Sequence, residues 1–337
     1  MKKNTMFLTA ASAGAAFAAY RLMRGRTYDF KGRTVLLTGG SRGLGLILAR
    51  KLADEGARIA ICARDEDELK RAGQDLQALG AEVLTLTCDV ADDAQVTEMV
   101  RRVQEEFGSI DVLINNAGII SVGPMETMTR ADYQTAMDVH FWGPLHTILA
   151  VLPEMRKRGS GRIVNIASIG GKIAIPHLVP YCASKFALVG LSRGLRAELR
   201  KDGIVVTTIC PGLMRTGSPR NATFKGQHRA EYAWFSISDS LPLASMNAER
   251  AASQILTACK RGDAEVILSV PAKIAANLDA FFPELSASVL ALTNRMLPGP
   301  GGIGTAAASG TESESEVAPS LLTALGDAAA RRNNEFA

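Results

Sequence analysis

Thr34-Val35-Leu36-Leu37-Thr38-Gly39-Gly40-Ser41-Arg42-Gly43-Leu44-Gly45 is the stretch whose reading decides the fold of this chain. Its first five residues are a short apolar run of strand length. From Gly43 onward, Leu44, Ile47, Leu48 and Leu52 fall on one face of a helix predicted over 43–55. A strand that passes through a glycine-rich turn into a helix is the context in which such glycines have a physical meaning. Gly39 can take a backbone conformation closed to other residues. Gly43 removes a side chain where a pyrophosphate would approach, and Gly45 lets the helix pack against the sheet. The helix N-terminus adds unpaired N–H groups, among them those of Ser41 to Leu44, and the positive end of a dipole.

Outward from this unit, strand-length apolar runs alternate with helical segments. The runs at 58–63, 81–88, 110–115, 161–167, 204–210 and 264–269 are apolar on both sides, as parallel strands covered by helices are. The expected class is α/β. The expected architecture is a Rossmann-type, doubly wound parallel sheet of about seven strands, with helices on both faces and right-handed crossovers. This domain spans 31–270. Residues 271–297, with Ile274, Leu278, Phe281, Phe282, Leu285, Val289, Leu290 and Leu292, read as an amphipathic helical extension interrupted at Pro283. The Gly/Ala/Ser/Glu composition after Leu297 reads as a flexible linker, and 320–332 as a short last helix, completing a segment over 298–337.

The 337 residues are 47% hydrophobic and 21% charged, which is ordinary globular composition. A net charge of +4 with no basic block in the middle of the chain does not point to a nucleic-acid partner. Cys62, Cys88, Cys182, Cys210 and Cys259 form no CxxC pair and no Cys/His cluster. They read as buried thiols of a reducing compartment, with no metal site. At the N-terminal end, 1–30, Lys2 and Lys3 precede an uncharged stretch over 6–20, and Arg21, Arg24 and Arg26 follow. The stretch is shorter than the ~20 apolar residues of a spanning helix. It reads as a membrane-proximal anchor that leaves the following domain on the cytoplasmic side, with a packed helix or a cleaved leader as the other readings.

An acidic residue at the end of the second strand would bind the ribose 2′-hydroxyl of NAD. Here that strand ends Cys62-Ala63-Arg64, and Arg42 lies inside the glycine turn. Two arginines can grip a 2′-phosphate through charge-assisted hydrogen bonds, so NADP(H) is expected in preference to NAD. Asp65 and Asp67, just beyond, either repel that phosphate or cap the next helix.

Three further motifs follow in order. Asn115-Asn116-Ala117-Gly118 ends the fourth strand, Ser168 ends the fifth, and Tyr181-Cys182-Ala183-Ser184-Lys185 begins thirteen residues later. Tyr181 and Lys185, four apart, share a helix face. A free phenol has a pKa of about 10 and is a poor base at neutral pH. A neighbouring ammonium and a positive nicotinamide ring would both favour phenolate. Tyr181 could then move a proton to or from a carbonyl oxygen, with Ser168 holding that oxygen as a donor.

Taken together and correctly spaced, TGxxxGxG, NNAG, Ser and YxxxK resemble the short-chain dehydrogenase/reductase family over about 31–269. The resemblance implies an NADP(H)-dependent oxidoreductase that interconverts a secondary alcohol and a carbonyl, with Ser168, Tyr181 and Lys185 catalytic. It implies that Lys185 also reaches the nicotinamide ribose. It assigns Asp89 and Val90 to the adenine, with a helix cap as the other reading of Asp89. The Pro211-Gly212-x-x-x-Thr216 segment falls to the nicotinamide amide, and Asn116 to a structural role near the adenosine, beside Ala117 and Gly118. A homo-oligomer is also implied.

One position departs from the pattern. His140 stands where the family carries an Asn that kinks its helix and serves a proton relay, so either imidazole replaces it in the relay or it is a packed histidine. The aromatic segment 224–243 reads as a lid over a lipophilic substrate. A non-catalytic NADP-binding scaffold and a nucleotide-sugar-modifying enzyme are the rival functions, and the glycine spacing disfavours the second.

Overall fold

β1 (Thr34–Thr38) is buried at every residue, and its side chains divide between two apolar layers. Val35 and Leu37 join one cluster with Leu44, Ile47 and Leu48, while Leu36 joins another with Val96, Val100 and Val103. A strand with helices on both sides has no solvent face, which is why the sequence shows an unbroken apolar run. The structure, a computed structural model, describes residues 28–336. The expected N-terminal anchor over 6–20 lies outside the described residues.

The first half of the domain is β1, α1 (Gly43–Asp54), β2 (Arg58–Ala63), α2 (Glu66–Ala78), β3 (Val83–Thr87), α3 (Asp93–Phe107) and β4 (Val112–Asn115). β3 starts two residues later than the apolar run, because the Ala81 N–H is still held by the Leu76 carbonyl of α2. The second half contains β5 (Ser121–Val122), α4 (Arg130–Met137), α5 (Gly143–Arg158), β6 (Gly161–Ile166), α6 (Val179–Leu199) and β7 (Ile204–Pro211). β8 (Met214–Arg215), β9 (Thr223–Phe224), α7 (His228–Ser240), β10 (Met246–Asn247), α8 (Ala248–Arg261) and β11 (Glu265–Leu268) follow.

Seven parallel strands form one sheet in the order β11-β7-β6-β4-β1-β2-β3. The chain winds outward from β1 in one direction and from β4 in the other. The switch point between β1 and β4 opens a crevice at the carboxyl ends of the strands, the place where such sheets bind ligands. Across β4, β6 and β7 a buried polar ladder runs beneath it. Thr147 Oγ1 donates to Asn115 Oδ1 (2.7 Å), Asn115 Nδ2 to Asn165 Oδ1 (2.9 Å) and Asn165 Nδ2 to Ser192 Oγ (3.0 Å). Thr208 Oγ1 completes it with a 2.7 Å bond to Ser192 Oγ.

The extension breaks at the expected proline into α9 (Val270–Phe281) and α10 (Pro283–Met296). α10 buries none of its residues, and its Met296 is 81% exposed. Beyond it the structure differs from the linker reading. The segment after Leu297 returns to the domain and is held there. The Ile303 N–H bonds the Gly226 carbonyl, and β12 (Ala308–Ser309) pairs antiparallel with β9. Arg220 pairs with Glu314 (2.7 Å), and α11 (Ala324–Arg332) lies on α7 and near β8. Small residues made 298–316 look like a linker, yet here smallness permits close approach. A Cβ on Gly302 would stand 2.2 Å from the Gly226 carbonyl oxygen, and one on Gly310 2.2 Å from that of Pro219.

Candidate active site

The crevice holds a cavity of about 610 Å³. It brings together Gly39, Ser41, Arg42, Gly43, Leu44, Gly45, Arg64, Asp89, Val90, Asn116, Ala117 and Gly118. Ser168, Tyr181, Lys185, Pro211, Gly212 and Thr216 line the same space. Residues separated by most of the domain in sequence thus meet at one crevice because each ends a strand at the switch point or begins the element after it.

The glycine turn is fixed by its neighbours. A Cβ on Gly45 would lie 1.9 Å from the Gly39 carbonyl oxygen, so only glycine lets α1 start this close to the turn. Asn116 Nδ2 donates to the carbonyls of Thr38 (3.2 Å) and Gly39 (2.9 Å), and the backbone N–H groups of Asn116 and Ala117 reach Thr38 Oγ1. Asn116 is therefore a brace between β4 and the turn.

At the end of β2, Asp65 caps α2, its Oδ1 accepting from the Glu68 N–H at 2.8 Å. Glu68, unremarked in the sequence, is buried. It holds one of the two arginines expected at a 2′-phosphate, Arg42 Nη1 meeting its Oε1 at 2.6 Å, and Ser41 Oγ donates to its Oε2 at 2.9 Å. Arg64 is exposed at the cavity edge. Asp89 Oδ1 accepts from the Ala91 N–H at 3.0 Å, a local turn bond.

Ser168 Oγ accepts from the Gly170 N–H at 3.0 Å and lines the cavity with Tyr181. Burial pushes the Tyr181 phenol up to about 12, the nearby Ser168 hydroxyl opposing the rise. Lys185 Nζ stands 5.7 Å from the Tyr181 ring centroid and donates to the Ile166 carbonyl at 3.0 Å. Burial pushes its ammonium down to about 7. The sequence suggests a phenol acidified by its lysine neighbour. In the chain by itself desolvation wins at both groups, raising the acid and lowering the base, because each charged form loses water in the buried crevice.

His140 sits on a π-helical turn (Asp138–Trp142) between α4 and α5 and is fully buried. Its Nε2 accepts from the Ile119 N–H at 3.1 Å, and its Nδ1 lies 2.8 Å from Ser184 Oγ. Ser184 Oγ donates to the Tyr181 carbonyl at 2.8 Å, so Nδ1 must carry the proton and give it to Ser184. Burial holds the imidazole well below its usual range and hence neutral. Both ring nitrogens are occupied, and the ring meets Tyr181 edge-on at 5.3 Å between centroids.

Two acidic residues that the sequence did not single out also face the cavity. Asp239 on α7 is buried with no hydrogen-bond partner on Oδ2, and burial raises it to about 8. Glu335, from the C-terminal segment, lines the glycine-turn end. Asp239 stands among serines and apolar residues and Glu335 follows two arginines and two asparagines, and neither setting tells a buried carboxyl from a surface one. Among the described residues, no cluster of His, Cys, Asp and Glu suited to a metal occurs, and no helix is long and apolar enough to cross a membrane.

The short chain dehydrogenase family model matches residues 33–225. An Anopheles gambiae protein described as dehydrogenase/reductase SDR family protein 7-like is 36% identical over 274 residues, covering 79% of this chain and 84% of its own. A putative ketoacyl reductase of Streptomyces coelicolor is 39% identical over 183 residues, covering 54% and 70%. Among solved structures, a Burkholderia phymatum short chain dehydrogenase/reductase in complex with NAD superposes with a TM-score of 0.71 at 27% identity, covering 77% of this chain and 96% of that one. A Burkholderia cenocepacia gluconate 5-dehydrogenase in complex with NADP and tartrate gives 0.64 at 28%, covering 74% and 98%.

Proposed function

This chain belongs to the short-chain dehydrogenase/reductase family, and from that premise we propose that it interconverts a secondary alcohol and a carbonyl using NADP(H). The observation that carries the reading is the meeting of Ser168, Tyr181 and Lys185 in the cavity that also contains the glycine turn, with Lys185 Nζ 5.7 Å from the Tyr181 ring centroid. The turn and the crevice suit a dinucleotide, since the glycines remove Cβ atoms along the approach and Gly212 and Thr216 line the same cavity. When bound, the dinucleotide supplies or accepts the hydride.

The chain's own residues handle the oxygen and its proton. Ser168 holds the substrate oxygen, and Tyr181 gives or takes the proton there. Lys185, anchored on the Ile166 carbonyl, keeps an amine beside the phenol and within the cofactor crevice. His140 positions Tyr181 by bracing Ser184, one turn along the same helix. NADP(H) is favoured over NAD by exposed Arg64 and by the Arg42 guanidinium, although the Glu68 carboxylate already holds Arg42. The cavity wall includes Ile120, Ile175, Leu178 and Phe235, which suits a substrate with an apolar body.

The test is loss of NADPH absorbance across a panel of lipophilic ketones and aldehydes, repeated with NADH. Tyr181→Phe should lower turnover by about 10²–10⁴-fold while cofactor affinity changes little. Cofactor binding without turnover of any carbonyl or alcohol would replace this reading with a binding scaffold.

A further inference from the structure

The C-terminal segment enters the cofactor crevice. α11 ends at Arg332, and Asn334 takes a left-handed conformation (φ 57°) that turns the chain inward. The Asn333 carbonyl then accepts the Gly43 N–H at 2.9 Å. Asn333 Nδ2 donates across the crevice to the Thr216 carbonyl at 3.3 Å, and Asn334 Nδ2 donates to the carbonyls of Ser41 (2.9 Å) and Glu68 (3.1 Å). Glu335 is 5% exposed. Its carboxylate takes 2.6 Å from Asn221 Nδ2 and stands 3.5 Å from Arg42 Nε. One of its oxygens lies 2.6 Å from where a Gly43 Cβ would be. A carboxylate and a carbonyl oxygen therefore occupy the N-terminal end of α1, the position that the glycine turn leaves for phosphate oxygens.

We propose that the segment Asn333–Glu335 is an internal competitor for the pyrophosphate subsite, so that dinucleotide enters only when this segment leaves. The inference rests on the reading of the crevice as a dinucleotide site. The competition has a steric and an electrostatic part. The Gly43 N–H cannot serve both Asn333 and a phosphate, and an anionic Glu335 repels a pyrophosphate placed beside it. The docked arrangement also carries its own cost, since the Glu335 carboxyl is buried near Glu68 and is pushed up to about 7. The segment is joined to α7. The carbonyl of Thr323, just before α11, accepts from Ser240 Oγ on α7 at 3.4 Å, and a Cβ on Gly217 would stand 2.4 Å from Ala330. Withdrawal of the tail thus loosens the wall that faces the substrate.

Fluorescence titration with NADPH and with NADH tests this on the full chain, on a chain ending at Arg332, and on Glu335→Ala. If the docked state holds about nine-tenths of the molecules, removal of the tail tightens Kd about tenfold. Glu335→Ala, which keeps the backbone, should tighten it by a smaller factor. In the intact protein, hydrogen exchange over 324–336 should accelerate when NADPH is added, a readout that needs no variant to fold. Equal affinities with unchanged exchange would overturn the proposal while leaving the dinucleotide reading in place. Weaker binding by the shortened chain would also overturn it, since the tail would then clasp the cofactor. Absence of dinucleotide binding in all three chains would remove both readings.

Discussion

Burial holds the Tyr181 phenol up to about 12 and the Lys185 amine down to about 7. On the proposed function, the positive charge of an oxidised nicotinamide ring would favour the phenolate against this burial. The absorbance difference between this protein and Tyr181→Phe should show no phenolate below about pH 11 without cofactor, and should show one at lower pH with the oxidised dinucleotide bound. The lysine has a consequence for stability with the opposite sign from that of a salt-bridged lysine. Its folded pKa is about 7, and unfolded lysine titrates near 10.4. Between those values the unfolded chain binds a proton that the folded chain refuses, so this group makes stability rise with pH. The penalty is full below about 7 and gone above about 10. Lys185→Met should accordingly be more heat-resistant than the parent near pH 6, with the advantage shrinking as pH rises, while turnover is lost. His140→Ala leaves the half-buried Ile119 N–H without an acceptor and removes the donor to Ser184 Oγ. Denaturant melts should show a loss of about 1–3 kcal/mol, and His140→Asn should recover turnover better than alanine does.

The elements differ sharply in what they bury, and substitutions should report it. Leu37 in β1 is fully buried, so Leu37→Ala should cost about 2–5 kcal/mol. The pair Leu285→Ser and Val289→Ser on α10, where nothing is buried, should change the unfolding free energy from denaturant melts by no more than about 0.5 kcal/mol per site. This contrast also explains what could be read from the sequence. The central strands are apolar on both sides, and the glycine turn allows almost no other residue, so the sheet and the turn were legible from composition and spacing. The meeting of Tyr181, Ser168 and Lys185 was legible because the fold fixes where strands end. Glu68 was not, since a carboxyl in the first turn of α2 looks like a solvated charge until Ser41 and Arg42 are seen folded over it. The course of the chain after Leu297 was not legible either. Glycine and alanine serve a loose linker and a tightly apposed strand equally well, and only contact with Gly226, Pro219 and β9 separates the two.

At the scale of the whole molecule, the small sheet β12-β9-β5 ties the last tenth of the chain to a strand in its first half. Contacts of such sequence separation cannot form until both partners exist. On a ribosome making about 5–20 residues per second, the seven-stranded domain is complete before its covering segment has been translated. For those seconds α1 presents its bare amides with nothing of the chain's own to meet them. A nucleotide in the surrounding solution then finds a cradle without its later occupant, and the order of arrival can decide which of the two the newborn protein carries away.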